Sequence, residues 1–458
     1  MAKHALEIVV LAAGKGSRMR SALPKVLHRV AGKPLLGHVL DAAAVLDPDK
    51  IHVVVGHGKD EVMAAFAGQD IHWVEQKEQL GTGHAVQQVL PAIDETANVL
   101  MLTADVPLIR STTLAPMVAA MEAFPLALLT AIVDDPTGLG RILRDESDGV
   151  CGIVEQKDAS AEQRAIREIN SGILCARAAD LNYWLGQVNN DNAQQEYYLT
   201  DIVAIAHEQG NPVTAYQPED NFEVEGINSR VQLARVECLY QQQQAKALME
   251  SGVTIIDPHR IDIRGDVSIG RDTVIDVNVV LEGPTSIGSN VHIAPNCVIT
   301  ASDVGDDSHI HANSVLEQVV IGEHVNVGPF ARLRPGTQLG NQVRIGNFVE
   351  TKNAKLDEGA KANHLSYVGD ATVGKNTNIG AGVITCNYDG ANKHQTTIGD
   401  DVFVGSDSQL VAPVEIEEGA TIGAGSTITN KVEKDQLAIS RGKQRQIDGW
   451  QRPKKTPK

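Results

Sequence analysis

The chain has 458 residues, enough for two or three domains that each bury a core of their own. Lys+Arg 40 against Asp+Glu 58 leaves a net charge of -18, which excludes broad binding to nucleic acid or to an anionic membrane surface; phosphate chemistry on such a chain must rest on locally gathered cations. With 42% hydrophobic and 21% charged residues and no apolar run near the ~20 residues needed to cross a bilayer, the sequence reads as soluble and globular.

The opening MAKHALEIVVLAAGKG runs an apolar strand into a glycine loop without a small-residue cleavage site, and reads as structure rather than as a signal peptide. Five widely spaced cysteines (Cys151, Cys175, Cys238, Cys297, Cys386) with no CxxC predict reduced thiols and a cytoplasmic setting.

From residue 1 to about 230, short β-branched runs (EIVVLAA, IHVVVGH, NVLMLTADVPL, LALLTAIVDD) alternate with helical patterns, the signature of a Rossmann-like α/β domain with a largely parallel sheet. In such sheets ligands bind at the carboxyl ends of the strands, where GKGSR, GHGKD and ADVP all fall. LAAGKGSRM has neither the GxGxxG spacing of a dinucleotide fold nor the GK[ST] ending of a P-loop. Gly14 and Gly16 let backbone amides approach a phosphate, and Lys15, Arg18 and Lys25 supply positive charge; an ordinary strand-to-helix turn with surface lysines has the same text. Asp105, at the end of an apolar strand, suits Mg²⁺ held against phosphate oxygens, or else a helix cap or turn.

Residues 231–251 predict one connecting helix, with Val231, Ala234, Cys238, Ala245 and Leu248 at helical spacing. From 252 to 458 the dominant signal is an internal repeat. Aliphatics fall six apart from Ile263 through Ile299, slip by one residue to Val304, slip again at Ile321, run to Ile345 and return from Ile398 to Ile428. That period fits neither an α-helix nor a hairpin meander; it predicts a parallel β-helix of roughly nine or ten coils. After Ile379 the segment GAGVITCNYDGANKHQTT interrupts the repeat and predicts a projecting loop.

The set LAAGKGSRM, LPKVL, EQLGTGHA, ADVPL, DDPTGLGRI, GIVEQKDA, EINSGI and EVEGINSR resembles the sugar-phosphate nucleotidyltransferases. Joined to a hexapeptide β-helix, it resembles the bacterial bifunctional family with N-acetylglucosamine-1-phosphate uridyltransferase and glucosamine-1-phosphate acetyltransferase activities. The resemblance implies a left-handed β-helix, a homotrimer, and a supply of UDP-N-acetylglucosamine to peptidoglycan and lipopolysaccharide. It also implies that Leu11, Ala12, Ala13 and Gly14 line UTP, that Arg18 and Lys25 act on its phosphates, and that Gln76, Gly81 and Thr82 read uracil. Thr103, Ala104 and Asp105 would approach the ribose and Mg²⁺, the metal being shared with Asn228, and the N-acetylglucosamine 1-phosphate would lie among Gly140, Glu155 and Asn170. Family members commonly carry Gly where this chain has Ala104.

For the β-helix the resemblance implies His364 as general base in acetyl transfer to glucosamine 1-phosphate, with Arg334, Lys352, Tyr367 and Asn378 on the sugar phosphate. Asn387 would lie near the base, and Ala381, Tyr388, Ser406, Ala424 and Arg441 would contact acetyl-CoA. Read from the residues alone, a solenoid His is commonly a surface group, while the six-residue stacking does bring Lys352, His364 and Tyr367 within two coils. Two other readings stay open: a single nucleotidyltransferase whose β-helix serves regulation or oligomerisation, and a catalytically inactive scaffold.

Overall fold

A computed structural model describes residues 5–455, and the chain divides into two compact units between Tyr240 and Gln241.

In the first unit the strands are β1 (Leu6–Leu11), β2 (Lys50–Val55), β3 (His72–Glu75), β4 (Asn98–Thr103), β5 (Leu126–Ile132), β6 (Arg141–Arg144), β7 (Val150–Val154), β8 (Glu168–Arg177) and β9 (Val213–Tyr216). Their order is β9-β5-β8-β4-β1-β2-β3, with β6 on β8 and β7 on β6. The path is parallel from β4 through β3 and between β9 and β5. Around β8 and its β6–β7 hairpin it is antiparallel, so the sheet is mixed.

Ile8, Val9 and Val10 are all fully buried, an unbroken apolar run that only a strand covered on both faces requires. Alternate side chains point to opposite faces. Ile8 and Val10 join Leu36 and Val39 of α1 (Leu35–Ala44), Val62 of α2 (Lys59–Ala65) and Leu114 of α4 (Ser111–Ala119). Val9 joins Val86 of α3 (Thr82–Val89), and Leu181 and Ile202 of the later helices Ala178–Leu185 and Asp201–Glu208. GKGSR, GHGKD and ADVP then leave β1, β2 and β4 side by side at the carboxyl edge.

The helix expected at 231–251 spans Arg230–Glu250; Ala245 is fully buried and Leu248 half-buried, as the spacing predicts, while the first half of the helix differs. Val231 is 80% exposed and Ala234 and Cys238 are exposed, whereas Val236 packs with Leu233, Leu239 and Tyr240 against Met19, Val30, Leu35 and Ile227. The spacing rule identified the helix and the buried residues of its second half, and mistook the phase of its first half, where only the packing partners choose between two stripes spaced alike.

The second unit is a parallel β-helix. One face is an eleven-stranded sheet, Thr254–Ile255 to Leu437–Ala438, and the other faces form a seventeen-stranded sheet. Successive rungs are 18 residues apart where Ile263 lies beside Leu281, 17 where Ile287 lies beside Val304, and 25 where Ile379 lies beside Val404. The 17-residue coils are the one-residue slips of the sequence pattern; the 25-residue step absorbs the inserted loop. Between Ile345 and Ile398 the inward positions are Thr351, Leu356, Ala362, Val368, Val373, Ile379 and Thr385, all buried. The core is therefore continuous where the aliphatic count broke off, since Thr and Ala occupy the same column. Left-handed backbone recurs at the corners, and Asn takes it readily: Asn278, Asn296 and Asn313 all have positive φ, and their amides bond rung to rung at 2.9 and 3.3 Å. No helix among the described residues is long and apolar enough to cross a membrane.

Leu356 is fully buried in this column and Val320 is 52% exposed. Leu356→Ala is expected to lower the unfolding free energy of the β-helix by about 2–5 kcal/mol, and Val320→Ala by less than about 0.5 kcal/mol. Denaturant titration followed by far-UV circular dichroism separates them; equal small losses would contradict a shared core.

Candidate functional site

The segments after β1, β3 and β4 surround a cavity of about 520 Å³, lined by Leu11, Ala12, Ala13, Gly14, Lys25, Gln76, Gly81, Thr82, Thr103 and Asp105 among the expected residues, and by Lys15, Val26, Gln79, Ala85 and Glu196 besides; GHGKD, after β2, contributes none of the lining. A broader opening of about 680 Å³ along Ser251, Arg271 and Ser289 holds none of the expected residues. Lys25 is the pivot. Its Nζ donates to Asp105 Oδ2 at 2.5 Å and to Asn228 Oδ1 at 2.9 Å, joining segments 80 and 203 residues away. Gly16 makes room for it: its φ is +58°, and a Cβ there would lie 2.6 Å from Lys25 Cβ.

Asp105 and Asn228 thus aim two oxygens at one cation position, a hard-oxygen set of the kind Mg²⁺ takes alongside substrate phosphates. Arg18 stands exposed on the turn Ser17–Met19. Ala104 is buried in the core beside Leu102 and Val106, and its N–H donates to Leu11 O at 3.1 Å, so the methyl group in place of glycine is accommodated inward. Thr103 Oγ1 is buried with no hydrogen-bond partner among the described residues.

Gly140, Glu155 and Asn170 meet one another, though none is among the residues that line this cavity. Asn170 N–H donates to Gly140 O at 3.0 Å, and a Cβ on Gly140 would lie 3.2 Å from Glu155 Oε1. The register of β8 breaks between Asn170 and Leu174, where Gly172 at φ +83° brings its backbone against Thr103 Cγ2. Burial pushes the Glu155 carboxyl above the ordinary carboxylate range; the Thr200 hydroxyl at 3.3 Å opposes this, while Asp201 and Asp158 add to it. Asp201 is itself pushed up to about 6, by burial first and then by Asp158.

In the β-helix, rung arithmetic explains which residues meet. Leu333 lies beside Thr351, which puts Arg334 next to Lys352, and Lys352 lies beside Gly369. The Tyr367 hydroxyl folds over Gly369, where a Cβ would be only 2.3 Å away. Arg334 also bonds Glu350 Oε1 at 2.8 Å. Lys393, from the inserted loop, crowds the Lys352 ammonium and is the main cause that lowers its pKa, with Arg334 next and Asp370 opposing. Asp370, buried at 8% exposure, holds Asn353 Nδ2 at 2.6 Å on one side and Asn387 Nδ2 on the other, a polar ladder across three rungs.

His364 lies across the corner at Leu365, its Nδ1 3.1 Å from Asn347 Oδ1. With that oxygen as acceptor, Nδ1 carries the proton and Nε2 keeps its lone pair. Asn347, His364, Ala381, Ser406 and Ala424 occupy one column, set by the pairs Asn347 with His364, Ala362 with Ile379, Ile379 with Val404 and Val404 with Ile422. Arg441 caps it, donating to Ala424 O at 2.6 Å. Asn378 lies one rung from Lys361 on the same sheet as His364, and Tyr388 stands exposed in the insertion, its hydroxyl donating to Gly390 O at 2.6 Å.

Sequence reasoning missed Gln79, Glu196, Asn347, Asp370 and Lys393. A signal existed for two of them: adding the 17-residue step to His364 and Asn387 backward reaches Asn347 and Asp370. Lys393 lies in the insertion, outside any register. Because the folded pKa of Asp201 is raised from 3.8 to about 6, its ionisation costs stability as pH rises through that window, and the cost is constant above it. Asp201→Asn is therefore expected to raise the thermal midpoint of the first unit at pH 8 and leave it unchanged at pH 3.5; calorimetry at both values checks this, and an equal shift at both would contradict it.

Three family descriptions match separate segments: the MobA-like NTP transferase domain over residues 8–141, the GMPPB C-terminal domain over 263–355, and the bacterial transferase hexapeptide (six repeats) over 395–430. Curated relatives match almost end to end. The bifunctional protein GlmU of Marinobacter nauticus is 58% identical over 450 residues, covering 98% of this chain and 99% of the relative. That of Stutzerimonas stutzeri is 57% identical over 450 residues with the same coverage, and that of Idiomarina loihiensis 55% identical over 448 residues, covering 98% of each. A nucleotide-sized cavity in the α/β unit, a crowded cation cluster on the β-helix and identity of this extent place the chain in the family of the bifunctional protein GlmU.

Proposed function

We propose that the chain divides its two reactions between residues 1–230, which transfer uridylyl, and residues 252–458, which transfer acetyl, with 231–251 as a linker. The chain is a bifunctional nucleotidyltransferase and acetyltransferase of UDP-N-acetylglucosamine synthesis. Acetyl-CoA and glucosamine 1-phosphate are the substrates of the first step; UTP and N-acetylglucosamine 1-phosphate are those of the second, which releases pyrophosphate. The observation that carries the double assignment is the crowding of Arg334, Lys352 and Lys393. A solenoid serving only oligomerisation has no cause to press three cations together, whereas a phosphate placed among them relieves their repulsion.

For uridylyl transfer, a sugar phosphate oxygen attacks the α-phosphorus of UTP and pyrophosphate leaves, so both reactants are anions. Alignment and charge neutralisation suffice, and no protein nucleophile is required. Lys25, Lys15 and Arg18 meet the triphosphate, and Gly14 lets it approach the backbone. Gln76, Gly81 and Thr82 take the base, Thr103 offers its unpartnered hydroxyl to the ribose, and Gly140, Glu155 and Asn170 take the amino sugar. Asp105 and Asn228 would hold Mg²⁺, whose charge offsets that on the phosphates.

For acetyl transfer, the substrate amine must lose a proton before its lone pair attacks the thioester. His364, with Nε2 left basic by Asn347, takes that proton. Arg334, Lys352 and Lys393 fix the sugar phosphate beside Tyr367 and Asn378, while Ala381, Ser406, Ala424 and Arg441 form the track for the thioester carrier, with Asn387 and Tyr388 beside it. A route through an acetylated Cys386 is disfavoured because burial pushes that thiol up, away from the nucleophilic thiolate. A homotrimer in the cytoplasm, with acetyl sites shared between neighbours, completes the proposal.

Asp105→Ala is expected to abolish pyrophosphate release from UTP and leave CoA release from acetyl-CoA unchanged. His364→Ala is expected to do the reverse, with a loss of ~10²-fold or more, the usual scale for a general base. Following both products on each purified full-length variant decides the matter: either substitution depressing both activities alike would refute the division of labour.

A further inference from the structure

Gln76 is 3% exposed yet lines the nucleotide cavity, so the end of its amide that faces the ligand decides what the site accepts. The rest of the amide is held from behind. One end lies 3.0 Å from Gly81 O. A carbonyl oxygen only accepts, so that end must be the NH₂ group, whichever way the amide is drawn. The same nitrogen lies 3.0 Å from His84 Nδ1. Its two hydrogens are then both spent, on Gly81 O and on the lone pair of His84 Nδ1. Oε1 takes no hydrogen bond among the described residues and is the end left for a ligand.

We propose that His84 is a specificity-determining positioning residue: by accepting the second amide hydrogen of Gln76 it fixes Oε1 toward the base and selects pyrimidines that carry N3–H. This rests on the assignment of Gln76 to the base. Uracil presents a donor at N3, which Oε1 accepts. Cytosine presents an acceptor there, and two facing acceptors repel each other. Gly81 O alone engages one hydrogen and leaves the amide able to swing; the second anchor removes that freedom.

His84 is itself well placed for the task. It lies in α3, half-buried, with its ring 6.5 Å from that of Tyr197. The Tyr197 carbonyl accepts from Gly83 N–H at 2.8 Å, which ties the start of α3 to the same segment. With Nδ1 accepting, the ring proton resides on Nε2; the exposed Gln88 amide nitrogen, 3.2 Å away and 3.3 Å from His84 O, is also a donor, so Gln88 must turn its oxygen to that proton.

The test measures kcat/KM for pyrophosphate release with UTP, CTP and N3-methyl-UTP in the full-length wild type, His84→Ala, His84→Leu and His84→Asn, with acetyl transfer by the same preparations as the control for folding. Asn places an acceptor oxygen near the position of Nδ1, whereas Ala and Leu cannot accept. The expected result is a UTP/CTP ratio that falls ~10-fold or more in Ala and Leu, the scale of one hydrogen bond to a buried group, and recovers in Asn. A ratio within twofold of wild type in Ala or Leu, or no recovery in Asn, overturns the role of His84. Wild-type enzyme that uses N3-methyl-UTP or CTP as well as UTP overturns instead the assignment of Gln76 to the base, so the two failures are distinguishable.

Discussion

Positive charge on a chain of net charge -18 is dispersed unless the fold holds it in place, and both candidate sites depend on doing so. The two units solve this in different ways. In the α/β unit Lys25 is held by two oxygens, from Asp105 and Asn228, so its charge is fixed before any phosphate arrives. In the β-helix the cations are held by one another's scaffolds: Arg334 by Glu350, Lys352 by its rung, Lys393 by the inserted loop. The neighbouring Lys393 and Arg334 lower the Lys352 pKa.

Stacking governs the second site as strand edges govern the first. A rung of 17, 18 or 25 residues determines which side chains share a column, so moving a residue by one position moves it off its column. The Asn353–Asp370–Asn387 ladder and the column from Asn347 to Ala424 both follow from that step. Tyr367 adds a constraint of another kind. Its ring can fold back along its own strand only because position 369 is glycine, and that fold-back carries its hydroxyl to the position paired with Lys352.

How much of this could be read in advance follows from the physics of each feature. The α/β layering, the carboxyl-edge loops and the solenoid were legible because apolar periodicity reports directly on burial. The phase of the first half of the helix Arg230–Glu250 was not, since Val231 and Val236 differ only in what they pack against. Likewise the aliphatic count lost the solenoid between Ile345 and Ile398 because Thr351, Ala362 and Thr385 fill inward positions without matching the pattern. Lys25, Asp105 and Asn228, 80 and 203 residues apart, were named through the family motifs that carry them, while Lys393 and Glu196 were not, because neither lies in such a motif or in a register.

The same ring is put to opposite uses by its neighbours. At His364 an amide oxygen of Asn347 faces Nδ1, which therefore carries the proton and leaves Nε2 as the basic atom. At His84 the amide nitrogen of Gln76 faces Nδ1, which must accept, so the proton resides on Nε2. One arrangement leaves the Nε2 lone pair open, and the other engages the Nδ1 lone pair with a side-chain amide. Two further imidazoles show the effect of burial. His52, fully buried, bonds Glu7 at 2.6 Å while burial lowers its pKa. His309 falls to about 4, through burial and then through His311 and His292, and so stays neutral near pH 7. A histidine in this chain is thus assigned by the atom that faces its Nδ1 and by how deeply it is buried, neither of which its place in the sequence discloses.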